Sequence, residues 1–564
     1  EISACLVGSE MCIRDSMKAH LFSKMSQGLL LLSALLATSC KESSNNFFVP
    51  DHEAPSLVSV TPANGETAEE NNTILLTFNE YVKAGEGKAN FNGEEVELTF
   101  KGKTASYAYT ALDYNQACQF SLPKGAVIDF QGNVFEGVSI QFTIRERPQP
   151  EARIFDAVVS PDGKGNYTSI QKAIDNVPSK RTEPWLIFVA NGTYEEQIII
   201  PEDKPYIHLI GQDVDKTIVK LRINSSTEAS ATDPDVWKYS YKNLGKTEAA
   251  MVSVKATDFY AENISFVNGY GKELQKGPMA LAMYTQNDRN SFNNCKFLSY
   301  QDTWQTGPKS DNGRLYAQNC WIEGAVDYFY GNGNCFLEHC TFYNMRDGAI
   351  IVAPSHKVGT RWGYVLNNCI VDGNELADTE SVKLGRPWHN SPIAVYLNTI
   401  FNIKIAPEGW TDMGAIPQMF AEYNSKDKEG NAVDLSQRKT QYTYQDEQEN
   451  PVTGICQAVL TAGEAARYTY ENVVREGDNW DPKKYMEQIS APENLKRENG
   501  ILSWDASKYA ICYLVIANDE TVQITKETSC NVEEGKTYQV KAVSEYGSLS
   551  CLLYTSPSPR DRQK

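Results

Sequence analysis

A chain of 564 residues is too long to bury a single ordinary core, so several domains are expected. A formal net charge of −19 and a pI near 5.0 exclude a general nucleic-acid binder, because phosphate recognition needs a concentrated basic surface and no basic stretch occurs. The 6 histidines are scattered without ligand spacing and none of the 13 cysteines forms a Cys-x-x-Cys, so neither a metal nor another cofactor is expected.

Residues 1–16 (EISACLVGSEMCIRDS) and 551–564 (CLLYTSPSPRDRQK) have no periodicity that fits their surroundings, and both resemble translated sequencing adapter. They are set aside from fold reasoning, which moves the start to Met17. In 17–40, Lys18, His20 and Lys24 precede the apolar run GLLLLSALLA and then Thr38, Ser39 and Cys40. That is the layout of a secretory signal, and the run is too short to remain as a spanning helix. The ending resembles a bacterial lipoprotein box. The resemblance implies lipidation at Cys40 and a bacterial cell-envelope location at the outer membrane, on its periplasmic or surface face, with secretion as the alternative. A lipid anchor is then the one membrane association expected. Residues 41–53 form a polar tether.

From 54 to 147, short alternating stretches (SLVSVTP, TILLTFNE, EVELTF, VSIQFTI) are separated by Asn-Gly, Lys-Gly and Gln-Gly turns, which predicts an all-β sandwich. The stretch Pro55 to Gly65, with prolines at 55 and 62, is similar to the opening of bacterial Ig-like modules. No catalytic constellation lies here, and a spacer is the expected role.

The segment 152–482 carries an internal repeat. AENISFVN (from Ala261), FNNCKFLS (Phe292), AQNCWIEG (Ala317), LEHCTFYN (Leu337), LNNCIVDG (Leu366) and YLNTIFN (Tyr396) align at Asn263, Asn294, Asn319, His339, Asn368 and Asn398. Intervals of 31, 25, 20, 29 and 30 residues suit a parallel β-helix, whose coils conserve their strands and vary their turns. Cys295, Cys320, Cys340 and Cys369 then stack inside as small apolar residues. Thr168 to Gln171 has capping-box spacing and predicts a short helix over the first strand edge, and Asn224 to Lys246 is a polar insertion expected beside the cleft. Gly463 to Val474 is expected to form one helix packed on the coils.

Asp302 follows Asn294 by eight residues, as Asp327 follows Asn319. Equal phase in consecutive coils places the two carboxylates side by side, about 5 Å apart at the backbone. Like charges that close cannot both ionise freely, so one acid keeps its proton near neutral pH while the other stays a carboxylate, which supplies an acid and a nucleophile together. Two solvated turn aspartates are the plain alternative, and Gln301 and the run Tyr328, Phe329, Tyr330 weigh against it.

These residues resemble the pectin methylesterases, carbohydrate esterases built on a right-handed parallel β-helix. The resemblance rests on Asp162-Gly-Lys-Gly-Asn-Tyr167, Gly192-Thr-Tyr-Glu-Glu196, Gln301-Asp-Thr303, Asp327-Tyr-Phe-Tyr-Gly331, Leu384-Gly-Arg-Pro-Trp388 and Gly409-Trp410, in the family's order. It implies hydrolysis of the methyl esters of homogalacturonan, with pectin as the partner. By the same resemblance Asp327 is the nucleophile, Asp302 the acid and then base, Gln301 an oxyanion donor, and Arg386 the group that holds Asp327 ionised. Trp388, Tyr330 and Trp304 offer faces for sugar rings. Where the family pattern has Gln-Ala-Val-Ala-Leu, this chain has Gly277-Pro-Met-Ala-Leu281, so a second oxyanion glutamine is missing. The competing readings are an esterase or thioesterase on another acyl substrate, and a β-helix that binds pectin without cleaving it. A lyase or polygalacturonase is disfavoured by the lack of a calcium-binding carboxylate cluster. A monomer is expected.

Residues 487–549 alternate in ILSW, YAICYLVIA and YQVKAVSEYG and are similar to a fibronectin type III module, with Trp504 and Tyr538 as core aromatics. Cys512 and Cys530 are the pair there that could bridge. The module is expected to lack its last strand. The whole chain is thus expected to be all-β, a parallel β-helix flanked by two small sandwiches.

Overall fold

The computed structural model describes residues 51–110, 112–224, 250–478, 480–551 and 553–554. The signal, Cys40, most of the tether and almost all of the polar insertion at Asn224 to Lys246 lie outside the described residues. The chain divides into two units, 1–147 and 148–564.

The described part of the first unit is a sandwich of four- and five-stranded sheets with a two-stranded ribbon, Val82–Ala84 paired with Val127–Asp129. Alternation puts Ile74, Leu76, Phe78, Phe120, Phe142 and Ile144 in one apolar interior.

The second unit is built on a parallel β-helix. Its three sheets hold ten, nine and seven strands among the described residues, every pair parallel. One inward row of the nine-stranded sheet shows how the coils stack. Val219, Phe266, Phe297, Ile322, Phe342, Val371 and Phe401 follow each other in strict register, and all are buried.

The repeated Asn position has a conformational cause. Asn263, Asn294, Asn319, His339, Asn368 and Asn398 all adopt positive φ, between 47° and 59°. This left-handed bend turns the chain from one sheet into the next, and Asn is among the few residues with a side chain that tolerate it. Amide contacts tie neighbouring coils: Asn294 Nδ2 donates to Asn263 Oδ1 at 2.7 Å, and Asn424 Nδ2 to Asn398 Oδ1 at 2.8 Å. The four repeat cysteines are buried and free, as expected, and Sγ of Cys295, Cys340 and Cys369 contacts a carbonyl of the preceding coil.

The helix Ile170–Asp175 covers the amino-terminal end and buries Ile170, Ala173 and Ile174. Its N-cap is Ser169, one residue after the expected Thr168. The carboxylate that completes the cap comes from another coil. Glu196 accepts from Ser169 Oγ at 2.6 Å and from the Ile170 and Gln171 amides at 2.7 and 3.0 Å. At the far end, the single helix expected over Gly463 to Val474 is two pieces: Ala462–Ala465, with a Thr461/Glu464 capping box, and a π-helical turn at Glu471–Arg475. Between them Tyr468 and Tyr470 turn onto the coils, with ring centroids 5.6 Å from Trp362 and 5.1 Å from Tyr316. Aromatic packing here outweighs weak helix propensity.

The carboxy-terminal module has sheets of three and four strands. Its last strand, Leu553–Tyr554, pairs with Tyr538–Val543 and comes from the stretch set aside as adapter-like. Strand Cys512–Ala517 is buried on both faces, because alternate residues serve two cores. Tyr513, Val515 and Ala517 face the sandwich interior with Trp504 and Tyr538. Cys512, Leu514 and Ile516 join Leu186, Phe188, Ile210 and Tyr260 of the β-helix. Cys512 and Cys530 therefore lie on opposite sides of that strand and are both free, which removes the expected bridge.

At the seam with the β-helix, the buried Glu262 accepts from Tyr260 Oη at 2.8 Å, from Asn293 Nδ2 at 3.4 Å and from Ser548 Oγ. Burial pushes its carboxyl up to about 7, against these donors and the nearby Lys541. A folded-state value raised above the unfolded 4.5 means stability fully present at low pH and lost as pH rises through about 7. We expect Glu262→Gln to match the parent near pH 4 and to be the more stable form above neutrality, by up to about 3 kcal/mol. Thermal unfolding of both proteins across that range checks it; parallel curves would contradict it.

Candidate active site

The seven-stranded sheet sorts its residues by parity. Ile198, Val252, Met283, Trp304, Phe329 and Val352 form a row that points inward. Ile199, Ser253, Tyr284, Gln305, Tyr330 and Ala353 form the outward row. Asp302 and Asp327 lie where two of these strands begin. Trp304 belongs to the inward row, is 0% exposed and packs against Phe292, Phe297 and Phe329. It is a core residue, and the expected sugar platform at Trp304 is corrected accordingly: strand alternation turns its ring away from solvent.

Asp302 and Asp327 sit in consecutive coils, as their phase predicts. Gln301 bridges to Val326, and the Asp302 amide donates to the Val326 carbonyl at 2.9 Å, so each acid is next to the other in register. Both have positive φ, 59° and 48°, so each acid is itself a left-handed corner at a strand start. Asp tolerates this better than most residues. In the next coil the register slips between Val326 and Phe329, a β-bulge in which Asp327 and Tyr328 share the place of one residue. The bulge separates their directions: Tyr328 is fully buried with its hydroxyl on Asn344 Oδ1 at 3.2 Å, and Asp327 is free to face the site.

Arg386 belongs to a later coil. Its amide donates to the Val352 carbonyl at 3.0 Å, and its guanidinium reaches back over that coil to Asp327. The contact is a two-pronged fork, Nε to Oδ1 at 2.9 Å and Nη2 to Oδ2 at 2.6 Å. Side-chain exposures of 25% and 11% set it apart from an ordinary surface pair. Gly385 permits the close approach, since a Cβ there would meet Val352 Cγ2 at 2.5 Å.

Gln301 lies beside the pair. A Cβ built on Gly277 falls 2.5 Å from Gln301 Oε1, so the Gln301 amide occupies the room that a longer residue at 277 would need. The loss of the second glutamine is thus coupled to the placement of the first. Restoring a side chain at 277 requires Gln301 to move.

Tyr330 is at the site but only 6% exposed, and its hydroxyl is more engaged than its ring. It donates to Gln305 Oε1 at 3.0 Å and also hydrogen-bonds with Asp302. Burial and that neighbouring acid hold the phenol well above its ordinary range. The half-buried Trp388 stands edge-on to Tyr330 with centroids 5.6 Å apart, leaving the indole as the more accessible aromatic. Gln305 went unnoticed in the sequence, although it follows Asp302 by three residues just as Tyr330 follows Asp327.

The arrangement offers a carboxylate gripped by a guanidinium, a second carboxyl bonded to a phenol, and a primary amide next to both. Such a set can attack an acyl carbon, pass one proton and receive an oxyanion. Among the described residues, one trio of acids, Asp51, Glu80 and Asp129 in the first unit, brings ligand atoms within 4.8 Å of one another.

Comparison with known proteins places these residues in context. The sequence model of the family described as Pectinesterase matches residues 156–454, and that of a bacterial Ig-like domain matches 51–144. A probable pectinesterase A of Neosartorya fischeri is 31% identical over 293 residues, covering 50% of this chain and 82% of that protein. Pectinesterase 31 of Arabidopsis thaliana is 31% identical over 256 residues, 45% of this chain and 76% of that one. Among solved structures, the pectin methylesterase from carrot superimposes with a TM-score of 0.48 at 22% identity, covering 58% of this chain and 95% of that one.

Proposed function

The chain belongs to the pectinesterase family and is a carboxylic ester hydrolase acting on the methyl esters of pectin; from that premise we propose that Asp327 is its nucleophile and Asp302 its acid and base. The observation that carries the assignment is the Arg386 fork on Asp327, one coil from Asp302. The fork presents Asp327 as an oriented carboxylate, and the acid role then falls to its neighbour Asp302 in the preceding coil.

In this reading a carboxylate oxygen of Asp327 attacks the ester carbonyl carbon of a galacturonate unit. The carbonyl electrons move onto oxygen, where the Gln301 amide donates to the oxyanion. Collapse breaks the bond to the methoxy group, and the Asp302 proton goes to that oxygen, releasing methanol and leaving an acyl anhydride on Asp327. Asp302, now a carboxylate, takes a proton from water as the water attacks the acyl carbon. The bond from the acyl carbon to Asp327 breaks, the product leaves as the carboxylic acid and ionises in solvent, Asp327 is restored as a carboxylate and Asp302 holds a proton again. Trp388 supplies an apolar face for a sugar ring beside the reacting unit.

Asp→Asn keeps the shape but removes both the attacking carboxylate and the exchangeable proton. We expect Asp327→Asn and Asp302→Asn each to lower methanol release from methylated pectin by at least about 10³-fold without lowering Tm. Arg386→Lys keeps the charge and loses the fork, with an expected loss of roughly 10²-fold. Methanol assays on variants with parental unfolding curves check this, and a near-parental rate for Asp327→Asn overturns the assignment.

We also propose that the chain is exported and held at the bacterial envelope by a lipid on Cys40. The apolar run ending in Thr38-Ser39-Cys40 supports it. Cys40→Ala should move the protein from the membrane to the soluble fraction; unchanged fractionation sinks the anchor.

A further inference from the structure

The first unit carries a surface that its own fold does not use. Among the described residues, the two most exposed aromatic rings are Phe130 at 66% and Tyr81 at 62%. Both flank the two-stranded ribbon, in which Val82 pairs with Asp129 and Lys83 with Ile128. Tyr81 and Phe130 each stand one residue beyond the last paired residues, Val82 and Asp129, and so lie at the same end of the ribbon. Two lysines complete that end. Lys83 Nζ stands 5.3 Å from the centre of the Phe130 ring, and Lys103 Nζ stands 5.9 Å from that of Tyr81 while donating to the Asn79 carbonyl at 2.6 Å.

Leaving two neighbouring rings in water forgoes the burial that holds Phe91, Tyr109 and Phe142 in stacked contact inside the same sandwich. Exposed rings at one end of a ribbon, each with a lysine over it, offer the two kinds of contact that a partner could use. The partner's chemistry follows from the side chains. Flat rings pack against the C–H faces of sugars, and ammonium groups beside them select sugars that carry carboxylates. Acids also lie near: Glu80, next to Tyr81, is close enough to Lys103 to interact with it, which leaves Lys83 as the lysine with no acid against it among the described residues. Strand alternation sends Asp129 to the other side of the ribbon, where it is buried and accepts from the Gln131 and Asn133 amides.

We propose that this face binds de-esterified galacturonan, the polyanion that the catalytic unit produces, with sugar rings on Tyr81 and Phe130 and uronate carboxylates on Lys83 and Lys103. The choice of polymer rests on the pectinesterase reading; the juxtaposition of rings and lysines does not. A methyl ester carries no charge for the lysines, so the face discriminates product from substrate. Because one polypeptide holds both units, capture of converted stretches raises the effective concentration of the enzyme along partly converted chains.

The test uses the full chain with Asp327→Asn, so that neither polymer changes during the measurement. Its mobility is followed in native gels containing polygalacturonate or highly methylated pectin, at low and high salt. The expected result is stronger retardation by polygalacturonate, weakened by salt. Adding Tyr81→Ala with Phe130→Ala should reduce it at least about fivefold, and Lys83→Glu with Lys103→Glu should abolish its salt-sensitive part. Equal retardation by both polymers overturns the proposal, as does full retention by either double variant with a parental unfolding curve. If the ring variant fails to fold, the lysine variant decides. Methanol release by the parent chain reports separately on the pectinesterase reading.

Discussion

The left-handed residue at the corner of each coil is the constraint on which the rest of the second unit depends. Each coil must leave one sheet and restart the next at a fixed phase, because strand side chains alternate and a slip of one residue would exchange the inside with the outside. Positive φ at Asn263, Asn294, Asn319, His339, Asn368 and Asn398 sets that phase. The same conformation recurs at Asp302 and Asp327, where the corner residues are the two acids proposed to react. The scaffold therefore stations the two acids with the same device by which it turns, and their adjacency costs no additional element. Non-glycine residues in this region carry strain of about 1–3 kcal/mol each, which the hydrogen-bonded ladder on either side can hold.

Parity then divides labour along a single strand. Trp304 faces the interior and Gln305 the outward side, where it accepts from Tyr330; Tyr328 and Phe329 pack in the core while Asp327 and Tyr330 turn toward the candidate site. Arg386 links coils that are not neighbours, so the ion pair depends on the stacking of the coil between them. A similar economy appears in Cys512–Ala517, which closes its own sandwich with one face and covers the β-helix with the other. The buried Glu262 lies in that seam, where burial raises its carboxyl.

Much of this was legible in the sequence for a physical reason: a repeat exposes its phase, and phase is what places side chains on a β-helix. Asp302 and Asp327 could be paired by counting residues from Asn294 and Asn319, and Arg386 stood in a motif that restricts its backbone. Counting fails where geometry departs from the repeat. The bulge after Val326 has no compositional mark, so the outward turn of Asp327 against the inward turn of Tyr328 was hidden. Trp304 looked like a platform because aromatic residues near an active site invite that reading; its parity relative to Gln301 and Asp302 is obscured by the left-handed corner between them. Cys512 and Cys530 looked like a bridge because spacing says nothing about which face of a strand a thiol occupies. Glu196 was recognised within a motif, but its role in capping a helix from another coil requires contacts that only the fold brings together.

In the proposed reaction Asp302 and Asp327 work as one device, since neither has a use in it without the other. A comparison of methanol release by the Asp302→Asn/Asp327→Asn double variant with that of the two single variants tests this most directly, all at matched thermal stability. Groups that act as a unit lose their function once. The double variant is therefore expected to be no slower than the slower single one. Losses that multiply would show two independent contributions and contradict it.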